Sequence, residues 1–433
     1  MLSRRTVIGG LGAGLAAVVA ARFWWPAAEE PPERGPGPVG PADLVNCVFQ
    51  PAPADPFAAP ELRIIPIPTF RTGGAIWGAT GRDSRGHIWF GVSMGDSAHL
   101  LEYIPQSGEV LDRGDVMSEL RRSGIARRGE SQMKIHSKIV QADDGNLYFT
   151  SMDEQGEQVD GSRLPTWGAH LWRLRLPGNR WEHLLATPEA LIAVAVSPGL
   201  IYALGYFDHV LYQYDIKTAA KRSVHIGAVG GHISRNFLAD QRGHVFVPRL
   251  KRRPGAPQDM ATTLVELDPS LRELDESRIG GYTQTADDDS HGIVGIQPLA
   301  DGSLAFTTDR GRLYRIMPLV GMEMPALVLE QGWFHPQGEA YVGSLFTYDG
   351  ARHLMGMSRR QSQNTYEWLV HDIETNRSTA VPVVMPTLGG RPLEQLLLYG
   401  SVTRDNEGNF ILAGLHRRDG RDWPILLRAV RPR

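Results

Sequence analysis

Cysteine is almost missing from this chain: Cys47 is the single one among 433 residues. No internal disulfide can form, and a structural zinc site built from several cysteines is excluded. Stability has to come from a core and from topology. Long hydrophobic runs are scarce as well. The one that stands out, Val7 to Ala21, is fifteen residues long and carries no charge. That length suits the apolar stretch of an export signal and is short for a membrane span. A strong charge of either sign is also missing, because 45 Lys and Arg face 48 Asp and Glu for a net −3. This excludes a nucleic-acid binder that acts through its overall charge. Attraction for an anion must come from a local patch.

What is present begins with the N-terminus. Ser3-Arg4-Arg5-Thr6-Val7-Ile8, set just ahead of the apolar run, resembles the twin-arginine export signal. Residues 1–25 therefore read as a signal segment that sends the chain to the periplasm. Phe23, Trp24 and Trp25 would sit at a membrane interface if the segment stays uncleaved. No other membrane contact is expected. Residues 26–60, rich in Pro, Ala and Glu, read as a flexible linker.

From residue 61 to 433 one pattern recurs. A β-rich run of seven to nine residues reaches a turn that ends in glycine, and a second run opens with aromatic or branched residues. Gly86-His87-Ile88-Trp89-Phe90, Gly145-Asn146-Leu147-Tyr148-Phe149 and Gly302-Ser303-Leu304-Ala305-Phe306 are three of seven instances. The turn glycines Gly86, Gly145, Gly199, Gly243, Gly302, Gly350 and Gly408 are 44 to 59 residues apart, the span of a four-stranded blade. The pattern predicts an all-β, seven-bladed β-propeller that acts as a monomer. Its last unit stops after three strands, and Leu62 to Ile67 is left over ahead of the first. Strand closure by this N-terminal segment would complete the ring and leave no exposed sheet edge.

In such a ring the inner strands line a central channel, and their first residues sit at one mouth. Those positions read Trp77, His136, Ala193 or its neighbours, His232, His291, Tyr341 and Tyr399. Neutral imidazole near pH 7 serves as a base or a metal ligand, so His136, His232 and His291 are candidates for either task. His170, at the end of a long acidic loop, is a fourth candidate ligand. Loops between second and third strands add cations: Arg249, Lys251, Arg252 and Arg253 in the fourth unit, Arg359 and Arg360 in the sixth, Arg417 and Arg418 beside His416 in the seventh. The planar arginine fork suits carboxylate, sulfate or phosphate. Arg249, Arg252, Arg359 and the ring of Trp77 are the expected substrate contacts, with Tyr399 as an acid.

His291-Gly292-Ile293 followed by Asp301-Gly302-Ser303-Leu304 resembles the blade repeat of the virginiamycin B lyase-like propellers. The wider pattern is similar to that of propeller polysaccharide lyases. The resemblance covers roughly residues 70 to 430 and implies a channel-facing histidine base near a divalent metal (Mn, Ca or Zn), acting on an anionic saccharide or related small molecule by β-elimination. The Trp-Phe-Thr ending of the lyase repeat is only partly kept here. Two functions of different class follow. One is an exported lyase in which a histidine removes the proton beside a carboxylate that arginine or a metal neutralises. The other is a non-catalytic periplasmic binding or scaffold propeller, which uses the same face for an envelope or polymer-handling complex and its histidines structurally.

Overall fold

Strand pairing builds the ring. The structure, a computed structural model, describes residues 55–432 apart from 69, 71–72, 96, 159–162, 207–208, 228–234, 254–255, 283–291, 351, 361–364, 394 and 402. At 252–253, 256–260 and 360 it describes the backbone alone. The signal segment and nearly all of the linker, His232, His291 and the side chain of Arg252 thus lie outside the described residues.

Among the described residues, strands assemble into seven four-stranded antiparallel sheets, each built from strands consecutive in the chain except the last. We number these blades 1 to 7 in chain order. In each, apolar residues alternate with the pleat and face the neighbouring blade. Blade 3 shows why the inner strand is so hydrophobic: Leu191–Ser197 is buried at every position because it is covered on both faces and on its channel side. The single described helix, Val116–Arg122, bridges blades 1 and 2. Asp115 caps it by accepting a hydrogen bond from the Ser118 backbone N–H.

Blade 7 closes the circle. Its chain-order strands Leu397–Tyr399, Phe410–Arg418 and Arg421–Val430 receive an outer strand from the start of the propeller, Glu61–Ile65. Glu61 pairs with Val430 and Ile65 with Leu426. Leu62 and Ile65 are buried, so the strand is a packed member of the sheet. This is the closure that the leftover N-terminal segment implied. The inner strands crowd at the channel, and glycine permits it. A Cβ on Gly400 would lie 2.3 Å from the Gly343 carbonyl oxygen, and one on Gly78 would lie 2.8 Å from that of Gly400. Blades 6, 7 and 1 therefore meet backbone to backbone. No helix among the described residues is long and apolar enough to cross a membrane.

Two blades carry the same polar clasp at the turn after the inner strand. In blade 1, Asp83-Ser84-Arg85-Gly86-His87 folds so that the Asp83 carboxylate accepts the backbone N–H of His87 at 3.0 Å, and Arg85 reaches both Asp83 (2.6 Å) and Glu102 (3.2 Å). His87 Nδ1 lies 2.5 Å from Glu102. In blade 4, Asp240-Gln241-Arg242-Gly243-His244 repeats it. Asp240 accepts the His244 N–H at 3.0 Å, Arg242 reaches Asp240 (2.7 Å) and Glu266 (3.2 Å), and His244 Nδ1 lies 2.7 Å from Glu266. Each clasp ties a turn to the third strand with charges that answer one another.

Candidate functional site: the channel mouth

The segments leading into the inner strands carry the site. Trp77 and Gly78 precede the inner strand of blade 1, His136 and Lys138 that of blade 2, Arg235 and Asn236 that of blade 4. Tyr341 opens the inner strand of blade 6, and Tyr399 ends that of blade 7. Together with Val294 and Gly400 these residues line a throat of about 20 Å³. Above it lies a cleft of about 530 Å³, shared by Trp77, His136, Arg235 and Tyr399 and extended by Lys134, Glu154, Tyr206, Gln395, Arg417 and Asp422.

Aromatic rings form one wall. The Trp77 and His136 rings are nearly parallel, with centroids 6.3 Å apart and planes 9° off, and Tyr399 packs on Trp77 at 5.0 Å. Cations sit over these faces: the Lys134 ammonium 5.1 Å from the Trp77 ring, and the Arg235 guanidinium 5.7 Å from the Tyr399 ring. Such contacts orient a long cationic side chain along an apolar surface. Two rim cations have carboxylate partners, Lys134 with Glu154 and Arg417 with Asp422 (2.9 Å).

The electrostatics follow from burial and these cations. Burial, reinforced by Arg235 and Lys134, holds the His136 imidazole well below its ordinary pKa, so it is neutral at pH 7. Burial pushes the Tyr399 hydroxyl up to about 12 against the opposing pull of Arg235 and Arg359. It raises Tyr341 as well, again with Arg235 and Arg359 opposing. Arg359 is thus electrically part of the mouth; its backbone pairs with Tyr341 across blade 6. Among the described residues the mouth sets a neutral imidazole and two protonated phenols beside Lys134, Arg235 and Arg359, with the Asp309 carboxylate also acting on Tyr341.

Of the residues singled out from the sequence, the structure brings Trp77, His136 and Tyr399 together and sets Arg359 beside them. It does not bring in His170 or Arg249. His170 packs in the outer part of blade 2, where Nδ1 lies 2.9 Å from His183 Nε2 and Nε2 lies 3.1 Å from Glu130. Both ring nitrogens are engaged within the protein, so it stands as a buried hydrogen-bonding residue and not as a ligand of the mouth. Arg249 was expected in a loop, but 245–253 is one long strand. Its guanidinium pairs with Glu273 and Glu276 of the outer strand, and Lys251 pairs with Glu276 at 2.5 Å. Arg418 meets Asp419 at 3.4 Å.

A divalent metal, implied by the lyase resemblance, finds a poor donor set in the described throat. His136 stands there with Lys138 and Arg235, and no Asp or Glu lines it. Among the described residues a dication there would meet the His136 imidazole beside Lys138 and Arg235, and the expected ligands His232 and His291 lie outside them. Asp83, His87 and Glu102 do bring ligand atoms within 4.8 Å of one another. Their carboxylates already bind Arg85 and Arg113, the latter at 2.6 Å, and blade 4 repeats the arrangement as a clasp.

Sequence reasoning missed Lys134, Lys138, Arg235 and Tyr206. Lys134 and Lys138 flank His136 at spacings of two, the strand period that aims alternate side chains at one side. That alternation was legible. Arg235 lay hidden because the inner strand of blade 4 begins at Leu238, six residues beyond the expected His232.

Chains of known structure are similar to this one at low identity. YCF48 from Cyanidioschyzon merolae is similar over 86% of this chain and 99% of its own, at 12% identity and a TM-score of 0.46. Sqt1 from Saccharomyces cerevisiae aligns over 86% and 88%, at 10% identity and a TM-score of 0.43. TolB from Acinetobacter baumannii aligns over 78% and 77%, at 15% identity and a TM-score of 0.35. No protein-family model matches the chain, and no curated protein matches it. The chain is a seven-bladed β-propeller.

Proposed function

We propose that this propeller works in the periplasm, exported by residues 1–25, and binds an anionic saccharide at its channel mouth. The observation that carries the reading is the lining of one throat by Trp77, His136 and Tyr399 together with Lys138 and Arg235, with Arg359 near enough to act on the Tyr399 hydroxyl. Aromatic faces suit the apolar face of a sugar ring, and guanidinium suits its carboxylate.

β-Elimination is the reaction this set can perform on a uronate. Arg235 and Arg359 neutralise the carboxylate and so acidify the neighbouring C–H. Neutral His136 takes that proton, the C–H pair becomes the new double bond, and the glycosidic C–O bond breaks. Tyr399, still protonated, delivers a proton to the departing oxygen. One observation favours the second reading, a non-catalytic binder: the same cations that hold an anion weaken His136 as a base.

The test uses the full-length exported chain with oligogalacturonate and with a neutral oligosaccharide of equal length. Selective binding of the acidic sugar, weakening as salt rises, and ultraviolet absorbance from an unsaturated product are expected. The product should vanish in His136→Ala and Tyr399→Phe. Binding without product supports the second reading. Equal binding of both sugars, indifferent to salt, overturns the anion site altogether.

A further inference from the structure

The end of the ring opposite the mouth carries a cluster of apolar side chains in water. Val320, Met322, Met324, Leu327 and Leu329 are exposed within ten consecutive positions, as many large hydrophobic side chains as are exposed in all the rest of the described chain. Val320 is exposed at 100%, and Met322 and Met324 at 53% and 47%. Exposed apolar side chains gathered in this way mark an interaction surface, whereas scattered ones do not.

The blade 4 clasp holds the backbone of this loop, which joins the blade 5 strands Arg312–Met317 and Leu327–Trp333. Arg242 donates to the carbonyl oxygens of Leu319 (3.2 Å), Gly321 (3.5 Å) and Met324 (2.7 Å), and His244 Nε2 lies 2.8 Å from that of Met322. Glu266 accepts the Ala326 N–H at 2.7 Å, where its blade 1 counterpart Glu102 takes Arg113 instead. Glu323, the one charge at the tip, pairs with Arg272. The loop thus gives these four carbonyls to the protein and its apolar side chains to the outside. Backbone that is already bonded loses little on leaving water, which is the condition for entering a lipid interface.

Antiparallel pairing puts the turn after each inner strand at the end away from the mouth, so Gly243 and the loop bound beside it lie there. The chain also joins the ring at that end. Glu61 pairs with Val430, and the next residue, Arg431, donates its N–H to Asn409 of the blade 7 turn at 2.9 Å. The sequence ahead of Glu61 includes the uncharged run Val7 to Ala21. A folded partner or a second copy needs a hollow to receive a projecting loop. A lipid interface takes one up without a matched shape, in proportion to the apolar area buried.

We propose that this end of the ring rests on a lipid surface, with Val320, Met322 and Met324 set into the headgroup boundary and the mouth turned away from it. Three side chains are few, so the contact is weak and reversible and serves to orient the ring. It does not depend on the ligand proposed for the mouth.

Two labelled positions test this on the full-length protein, in a Cys47→Ser background that leaves each label unique. Met322→Cys carries an environment-sensitive fluorophore on the loop. Val384→Cys carries it at an open site, 88% exposed, just past the mouth-side end of the blade 6 outer strand Arg377–Pro382. The vesicles are phosphatidylethanolamine with a minority of phosphatidylglycerol. The 322 label should shift to the blue and be quenched by a lipid-borne quencher, while the 384 label does neither. Salt should change little, because the contact is apolar. Val320→Glu with Met324→Glu, at an unchanged melting temperature, should weaken the 322 response by about 10-fold or more. A 322 label that stays in water, whether the protein reaches vesicles through another segment or not at all, overturns the proposal. Quenching at both positions, or a folded double variant with an unchanged response, overturns it too. A 322 label shielded without lipid, with concentration-dependent dimers in sedimentation, shows that the loop meets a second copy and overturns it equally.

Discussion

Histidine and arginine occur in two settings here, the blade clasps and the channel mouth, and their surroundings differ. In the clasps, Arg85, His87 and Arg113 share Asp83 and Glu102, and Arg242 and His244 share Asp240 and Glu266. Charge is balanced within a few ångströms, and the groups hold a turn in place. At the mouth, Lys138, Arg235 and His136 line a throat with Trp77, Tyr341 and Tyr399, and the Arg235 guanidinium lies over the Tyr399 ring. Clasp charges hold turns in place, and the mouth sets its cations against aromatic faces. Substitutions in the two regions should therefore fail in different ways.

The largest effect on stability belongs to neither region. Deleting residues 61–65 removes the closing strand, strips cover from two hydrophobic clusters and exposes an edge of blade 7. We expect a loss above about 4 kcal/mol, seen in chemical denaturation. An unchanged midpoint would show that the ring does not depend on closure.

Within the clasps, Glu266→Ala leaves His244 and Arg242 without their shared carboxylate and takes the acceptor from the Ala326 N–H, which it meets at 2.7 Å. Breaking a buried pair this way costs about 3–5 kcal/mol, and ligand affinity should be untouched. Arg235→Ala should do the reverse, losing about 10- to 100-fold in affinity for a uronate dimer with a stability change below about 1 kcal/mol. If both substitutions moved stability and affinity together, the contrast between the regions would collapse.

The smallest effects are in the pH dependence, where two histidines and one carboxylate act with opposite signs. Burial holds His371 down to about 4 from 6.5, and it does the same to His183, helped by His170 and Lys221. Each binds fewer protons folded than unfolded in that window, so stability is present above pH 6.5 and is lost as pH falls toward 4. Glu157, with both carboxylate oxygens buried and without a hydrogen-bond partner, is pushed up to about 8 by burial, then by Glu154 and Glu189. It holds an extra proton when folded between 4.5 and 8, and its contribution is lost as pH rises through that window. His371→Gln should flatten the acid side of a melting-temperature profile, and Glu157→Gln the alkaline side. Unaltered profiles would mean these groups are more hydrated than their surroundings suggest.

The ring was readable because each blade must turn at a glycine and refill the same core, which stamps a period on the sequence. Closure was readable because one strand was left over and one was missing. The mouth was half readable. Trp77, His136 and Tyr399 sit where inner strands begin or end, so position alone located them. Arg235 escaped because its blade reaches the channel through a segment outside the regular strand. The run 249–253 misled for the opposite reason. Five residues dense in charge suggest a loop, yet Leu250 points inward while Arg249 and Lys251 point out to Glu273 and Glu276. Alternation, and not composition, was the signal there.

The central claim, that cations around His136 exist to receive an anion, is tested most directly on His136 itself by following its imidazole with NMR across pH, with and without digalacturonate. The account predicts no titration near 6.5 in the free protein. It also predicts that bound carboxylate, by screening Arg235 and Lys134, moves the titration upward, with proton uptake on binding at mildly acidic pH. A free imidazole that titrates at 6.5, or a ligand that binds and leaves the His136 titration unmoved, would contradict it.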